Sequence, residues 1–184
     1  MKNLILTSPI PGKLIALDKI KDPAFSSGAM GAGCGIVPSE GKVFAPFDAK
    51  VEVLFDTKHA IGLTRTDGES ILIHIGIDTL NGKPFHNLVN QGDTVKKGDL
   101  LLTFDIDEIK KAGYDVTTPY LVTNAFNYDE ITIKNDDQVI LAKSAQKMTR
   151  ILKITIFLKI MPLIQILKTF YLWINRWCLC RCYS

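Results

Sequence analysis

The punctuation of this chain constrains its fold more than any other feature. Short apolar runs alternate with Gly, Pro, Asp and Asn from one end of the first 144 residues to the other. The runs 13–17, 35–38, 42–45, 51–55, 59–64, 70–77, 100–104, 120–123 and 138–141 read as strands. Turn signals at such close spacing predict an all-β protein, an antiparallel sandwich or barrel-sandwich hybrid. Helix is expected only as short turns, at 107–112 after Asp105 and at 24–30. A faint echo of Pro9-Ile10-Pro11-Gly12-Lys13-Leu14 in Pro46-Phe47-Asp48-Ala49-Lys50-Val51 suggests a duplicated motif. So does the doubled Gly-Asp of Gly92-Asp93 and Gly98-Asp99.

One of these turns has a chemical consequence. Asp67-Gly68, between apolar runs, is a strong hairpin signal. A two-residue loop there pairs Ile61 with His74 and His59 with Gly76. The two imidazoles then become diagonal neighbours on one face, with Cβ atoms roughly 7–8 Å apart. Strict alternation turns Ile71, Ile73, Ile75 and Ile77 to the opposite face, as core. Two of the chain's three histidines are thereby expected to converge.

Composition divides the chain. Residues 1–144 hold 15 lysines and arginines against all 19 acidic residues, a balance of −4. The remaining residues carry 7 cations and no acid. We read 4–143 as one domain and 145–184 as a basic, apolar tail. That tail is either a membrane-surface segment or the product of a shifted reading frame. Its regularly placed cations and Pro162 argue against a spanning helix. Cys34 is the sole cysteine before the tail, which fits a reduced, cytoplasmic domain. The first apolar run is too short for a signal peptide. Nothing in the motifs points to nucleic acid.

A close histidine pair can serve three ends. One imidazole can take up a phosphoryl group while the other stabilises it. The two can begin a zinc site. They can also be a structural pair without chemistry. Thr57, two residues before His59, is placed to orient that ring, and Asp78 to meet a cation near His74. His86 reads as a surface loop residue. Gly28, Gly31, Gly33 and Gly35 are no phosphate loop, because no Gly-Lys-Ser/Thr follows them.

Three runs carry a family likeness. They are Ile36-Val37-Pro38-Ser39-Glu40-Gly41-Lys42-Val43-Phe44-Ala45-Pro46, Thr57-Lys58-His59-Ala60-Ile61-Gly62 and Ile73-His74-Ile75-Gly76-Ile77-Asp78-Thr79. Together with Lys111-Ala112-Gly113-Tyr114-Asp115-Val116-Thr117-Thr118-Pro119 they resemble the glucose-type enzyme IIA domains of the bacterial sugar phosphotransferase system, in particular its β-glucoside/sucrose branch. The likeness runs from about Leu6 to Leu141. It implies a phosphocarrier that accepts phosphoryl from the protein HPr on His74 and passes it to a cysteine of enzyme IIB, beside a membrane permease, IIC. It implies that the Gly76 carbonyl holds one nitrogen of His74, and that His59, oriented by Thr57, supports the transfer. Phe25, Ala29, Met30, Phe55, Ile61, Leu72 and Leu80 match an apolar docking ring. Asp22 and Asp78 match acidic positions that meet a cationic partner. No cofactor is required on this reading, although the pair His59 and His74 can recruit zinc. The domain would work in the cytoplasm, visiting the inner face of the membrane through IIB/IIC, and could also bind regulatory target proteins. The rival scaffold, a zinc peptidase, needs a His-x-His segment that this sequence lacks.

Overall fold

In the computed structural model, residues 3–79, 84–125, 128–134 and 139–144 are described. The tail 145–184 and Leu80 lie outside them. The described part is built on antiparallel strands, as the punctuation predicts. A seven-stranded sheet runs β2 (Gly12–Ala16), β3 (Ala32–Pro38), β11 (Thr118–Val122), β7 (Ser70–His74), β6 (Ala60–Thr64), β5 (Ala49–Leu54), β9 (Thr94–Val95). Two three-stranded sheets accompany it. One is β1 (Asn3–Thr7), β13 (Val139–Ser144), β12 (Tyr128–Lys134); the other is β4 (Lys42–Phe44), β10 (Leu100–Phe104), β8 (Phe85–Asn87). His86 thus sits, exposed, on a strand paired to Thr103 rather than in a loop.

Alternation gives the large sheet two faces. One carries the main core, where Leu14, Ile36, Ile61, Ile71, Ile73 and Tyr120 are buried. The other carries a smaller cluster of Ile20, Phe25, Ile77 and Leu121, with Leu17 and Leu72 packed against it. A short 3-10 turn (Leu17–Lys19) and α1 (Pro23–Ser26) supply part of that cluster. Asp22 caps α1, its Oδ1 accepting the Ala24 amide at 2.8 Å. Proline at the first helical position suits a site with no partner for an N–H. The expected turn at 24–30 therefore starts earlier and is shorter. The other expected turn is α2 (Ile106–Lys111), capped by Asp105 Oδ1 on the Glu108 amide at 2.9 Å.

The doubled Gly-Asp is a repeated device. Asp93 Oδ2 accepts the Asn90 amide and Asp99 Oδ2 accepts the Lys96 amide, both at 2.8 Å. Each turn then clamps a strand segment. The Val51 amide donates to the Asp93 carbonyl at 2.8 Å, and the Ala45 amide to the Asp99 carbonyl at 2.9 Å.

The hairpin at Asp67-Gly68 departs from expectation. The Gly68 amide donates to the Arg65 carbonyl at 3.0 Å, and the Arg65 amide to the Glu69 carbonyl at 2.8 Å. Residues Thr66, Asp67 and Gly68 therefore form a three-residue loop, with Gly68 at φ +95°. The register moves by one. Ala60 pairs with His74, and Ile61 with Ile73. A second departure lies at the strand end: β7 stops at His74, because Gly76 (φ +71°) and Asp78 (φ +59°) turn the chain. Ile77 consequently packs in the smaller cluster and not with Ile71, Ile73 and Ile75.

Candidate functional site

His74 is the last residue of β7, on the same face as Leu72, and is half-buried. His59 precedes β6 and is buried at 4% exposure. With the observed register, unbroken alternation would send His59 toward the core, as it does Ile61. The loop overrides this. Lys58 takes a left-handed φ of +61°, its amide donates to the Phe55 carbonyl at 2.8 Å, and regular pairing resumes only at Ala60. The two rings meet edge to face, with centroids 4.6 Å apart and planes at 74°. Convergence was expected from a regular hairpin; it arises from two irregularities that offset each other.

Each imidazole is held at Nδ1. His74 Nδ1 lies 2.9 Å from the Gly76 carbonyl oxygen. A carbonyl can only accept, so Nδ1 carries the proton and Nε2 carries the lone pair. His59 Nδ1 is hydrogen-bonded to Thr57 Oγ1 at 2.5 Å. Phe25 lies against His74, centroids 4.9 Å apart, and Phe55 against His59 at 5.5 Å. Burial, and then the neighbouring His74, push the His59 pKa down to about 4. Burial also lowers His74, against the opposing pull of the Gly76 carbonyl and the charges of Asp22 and Asp78. Both rings are thus neutral at pH 7, and His74 offers a nitrogen lone pair.

The turn after His74 is clamped on several sides. The Ile75 amide donates to the His59 carbonyl at 2.7 Å, and the Ile77 amide to the Asp115 carbonyl at 2.8 Å. Thr79 Oγ1 donates to the Ile75 carbonyl at 2.5 Å. Thr79 and Asp115 were not singled out from the sequence. Their signal lay in the positions of Gly76 and Asp78, which mark a tight turn that something must hold.

The expected docking positions separate. Phe55 is 44% exposed and Met30 43%, and Ala29 is also exposed. Leu72 is half-buried on the His74 face. Phe25 is buried, but its ring touches His74. Ile61 does not belong with them: it is fully buried in the main core. The one-residue register shift explains this, since it puts Ile61 opposite Ile73 and not opposite His74. Val53, 42% exposed, lies on the Leu72 face instead. A bulge at Glu52 pairs it with Gly62, which in turn pairs with Leu72. A cavity of about 480 Å³ has walls that include Lys21, Asp22, Asp78 and Asp115, and two of these, Asp22 and Asp78, act on His74 through their charge. Lys21 Nζ lies 3.1 Å from Asp115 Oδ2. Among the described residues no three His, Cys, Asp or Glu side chains are grouped to hold a metal ion.

The chain is similar to known proteins. The family model described as phosphoenolpyruvate-dependent sugar phosphotransferase system, EIIA 1, matches residues 4–128. The chain is 49% identical over 147 residues to the PTS system beta-glucoside-specific EIIBCA component of Halalkalibacterium halodurans, covering 79% of this chain and 23% of that protein. It is 39% identical over 141 residues to the PTS system glucose-specific EIIA component of Staphylococcus epidermidis, covering 76% of this chain and 85% of that protein. The solved structure of glucose permease IIA from Mycoplasma capricolum superposes with a TM-score of 0.67 at 31% identity, covering 80% of this chain and 93% of that one. The chain therefore spans less than a quarter of the β-glucoside relative and most of the glucose-specific one. A β-sandwich with this histidine pair, matched over most of its length, belongs to the EIIA 1 family of the phosphoenolpyruvate-dependent sugar phosphotransferase system.

Proposed function

We propose that the chain is a phosphocarrier for sugar uptake, with His74 as the residue that carries the phosphoryl group. One observation supports this above the rest. The Gly76 carbonyl holds His74 Nδ1 in its protonated form, which leaves Nε2 as a nucleophile on a half-buried, neutral ring. Nε2 attacks the phosphorus of a phosphohistidine on HPr. The new N–P bond forms as the old one breaks, and the leaving electron pair returns to the donor imidazole. In the second step the thiolate of a IIB cysteine attacks, and Nε2 takes back its lone pair. His59, oriented by Thr57, stabilises the phosphoryl charge as the group leaves for IIB. No metal is needed for either step; His59 and His74 together offer two of the four ligands that zinc takes.

We assign docking to apolar residues that are exposed or half-buried. Phe55, Met30, Ala29 and Leu72, with Val53 beside them, form a surface suited to a small transient interface. Asp22 and Asp78 supply negative charge for a cationic partner. Among the described residues no helix is long and apolar enough to cross a membrane. We place the work of the domain at the cytoplasmic face, between HPr and a IIB/IIC permease.

Reconstitution tests the reading. The protein is incubated with phosphoenolpyruvate, enzyme I and HPr, and acid-labile, base-stable phosphate is measured. Wild type is expected to label and His74→Ala to remain unlabelled. Labelling that survives His74→Ala overturns the assignment.

A further inference from the structure

We propose that Thr79 is a positioning residue for His74: it holds the Ile75–Gly76–Ile77 turn in the shape that aims the Gly76 carbonyl at Nδ1, and so fixes which ring nitrogen is left to react. This deepens the phosphocarrier reading and rests on it.

Two successive peptide units are involved. The first joins Ile75 to Gly76, and Thr79 Oγ1 holds its carbonyl at 2.5 Å. The second joins Gly76 to Ile77. The Asp115 carbonyl holds its N–H at 2.8 Å, and its carbonyl accepts from His74 Nδ1 at 2.9 Å. Gly76 is the hinge between them, and a glycine resists rotation least of all residues. Its orientation must come from what surrounds it. The His59 and Asp115 contacts come from backbone carbonyls, which any residue provides. Thr79 supplies its contact through a side chain, so there the identity of the residue matters.

The methyl group of Thr79 acts alongside the hydroxyl. A Cβ built on Gly76 would lie 2.6 Å from Thr79 Cγ2 and 3.3 Å from Thr79 Oγ1. Thr79 therefore occupies the space beside the hinge. It is buried at 3% exposure, so no solvent would replace its hydroxyl on the Ile75 carbonyl without rearrangement.

The chemical consequence follows from the tautomer. With the Gly76 carbonyl at Nδ1, the proton stays on Nδ1 and the lone pair on Nε2. If the turn relaxes and the carbonyl swings away, nothing keeps the proton there. The fraction of His74 with a nucleophilic Nε2 falls, and the rate of phosphoryl acceptance falls with it.

The test compares Thr79→Val, which keeps the shape and removes the hydroxyl, with Thr79→Ser, which keeps the hydroxyl. The tautomer of His74 is read from its ring nitrogen resonances in 15N-labelled protein at pH 8. Acceptance from phospho-HPr is timed in parallel. Wild type and Thr79→Ser are expected to show the Nδ1–H form. Thr79→Val is expected to show a mixture and to accept phosphoryl about tenfold more slowly. Thr79→Ala gives the same readout should Thr79→Val fail to fold. A lowered unfolding midpoint with the His74 nitrogens unmoved would show a merely structural threonine and overturn the proposal. Wild type that takes no phosphoryl would instead sink the phosphocarrier reading, while the ring nitrogens still report on Thr79.

Discussion

The Ile75 amide donates to the His59 carbonyl at 2.7 Å, so the residue after one histidine is fastened to the backbone of the other. The clamp is independent of the His59 side chain. Replacing that side chain should therefore leave His74 in place and remove only the chemistry of the second ring.

His59→Ala is expected to accept phosphoryl from HPr at close to the wild-type rate and to donate it to IIB slowly, by on the order of 10²-fold. Single-turnover transfer in each direction separates the two steps. Equal loss in both directions would mean that His59 positions His74 and does not act on the phosphoryl group.

Gly76 and Gly68 both have positive φ, at +71° and +95°, but their surroundings differ. A Cβ on Gly76 would lie 2.6 Å from Thr79 Cγ2 and 2.9 Å from the Asp115 carbonyl oxygen, whereas a Cβ on Gly68 meets nothing within 4 Å. Gly68→Ala should therefore cost about 1–2 kcal/mol, the backbone strain alone. Gly76→Ala carries the same strain plus a backbone clash, and should cost about 3 kcal/mol or more. Urea unfolding midpoints check the order. A reversal would mean that the turn after His74 yields easily.

The fold was legible because it rests on period-two alternation and turn residues, which are local. The strand at Leu100–Phe104, the start of the strand at Ser70 and the capped helix after Asp105 follow from neighbours alone. The register was not. Asp-Gly signals a hairpin but does not by itself set the loop length, and one added residue moved Ile61 from the histidine face to the core. The left-handed Lys58 carries no local signature either, since lysine seldom adopts that φ. The two histidines do meet, but not through a regular two-residue hairpin: the loop is one residue longer, and the left-handed Lys58 turns His59 back to the His74 face. Thr79 could not be found locally at all: its partner is a carbonyl four residues back, across a turn shaped by tertiary contacts.

Both histidines have folded pKa values below the ordinary 6.5. Below 6.5 the unfolded chain binds protons that the folded chain refuses. Acidification therefore favours unfolding. The stability tied to His59 is fully present above pH 6.5 and is lost as the pH falls toward about 4. Burial pushes the Asp115 carboxyl up, but hydrogen bonds from Thr117 and the Lys21 ammonium together hold it below the usual 3.8, so its contribution is lost only at lower pH. Urea midpoints are expected to fall steadily from pH 7 to pH 4.5, and His59→Asn should flatten that slope. A slope unchanged in His59→Asn would place the titration elsewhere.

Asp22 holds two roles that different substitutions separate. Its Oδ1 caps α1 at the Ala24 amide, 2.8 Å away, and its charge raises the pKa of His74 against the effect of burial. Asn is a good cap but carries no charge. Asp22→Asn should therefore leave stability within about 0.5 kcal/mol of wild type. It should lower the His74 pKa further, since the attraction that favours the imidazolium is gone. Asp22→Ala should show the same pKa change and lose about 1 kcal/mol of stability as well. A pH titration of the His74 resonances and a urea curve for each variant read the two effects. Weaker, less salt-sensitive association of Asp22→Asn with HPr would tie the same charge to docking. Unchanged salt dependence would confine it to His74.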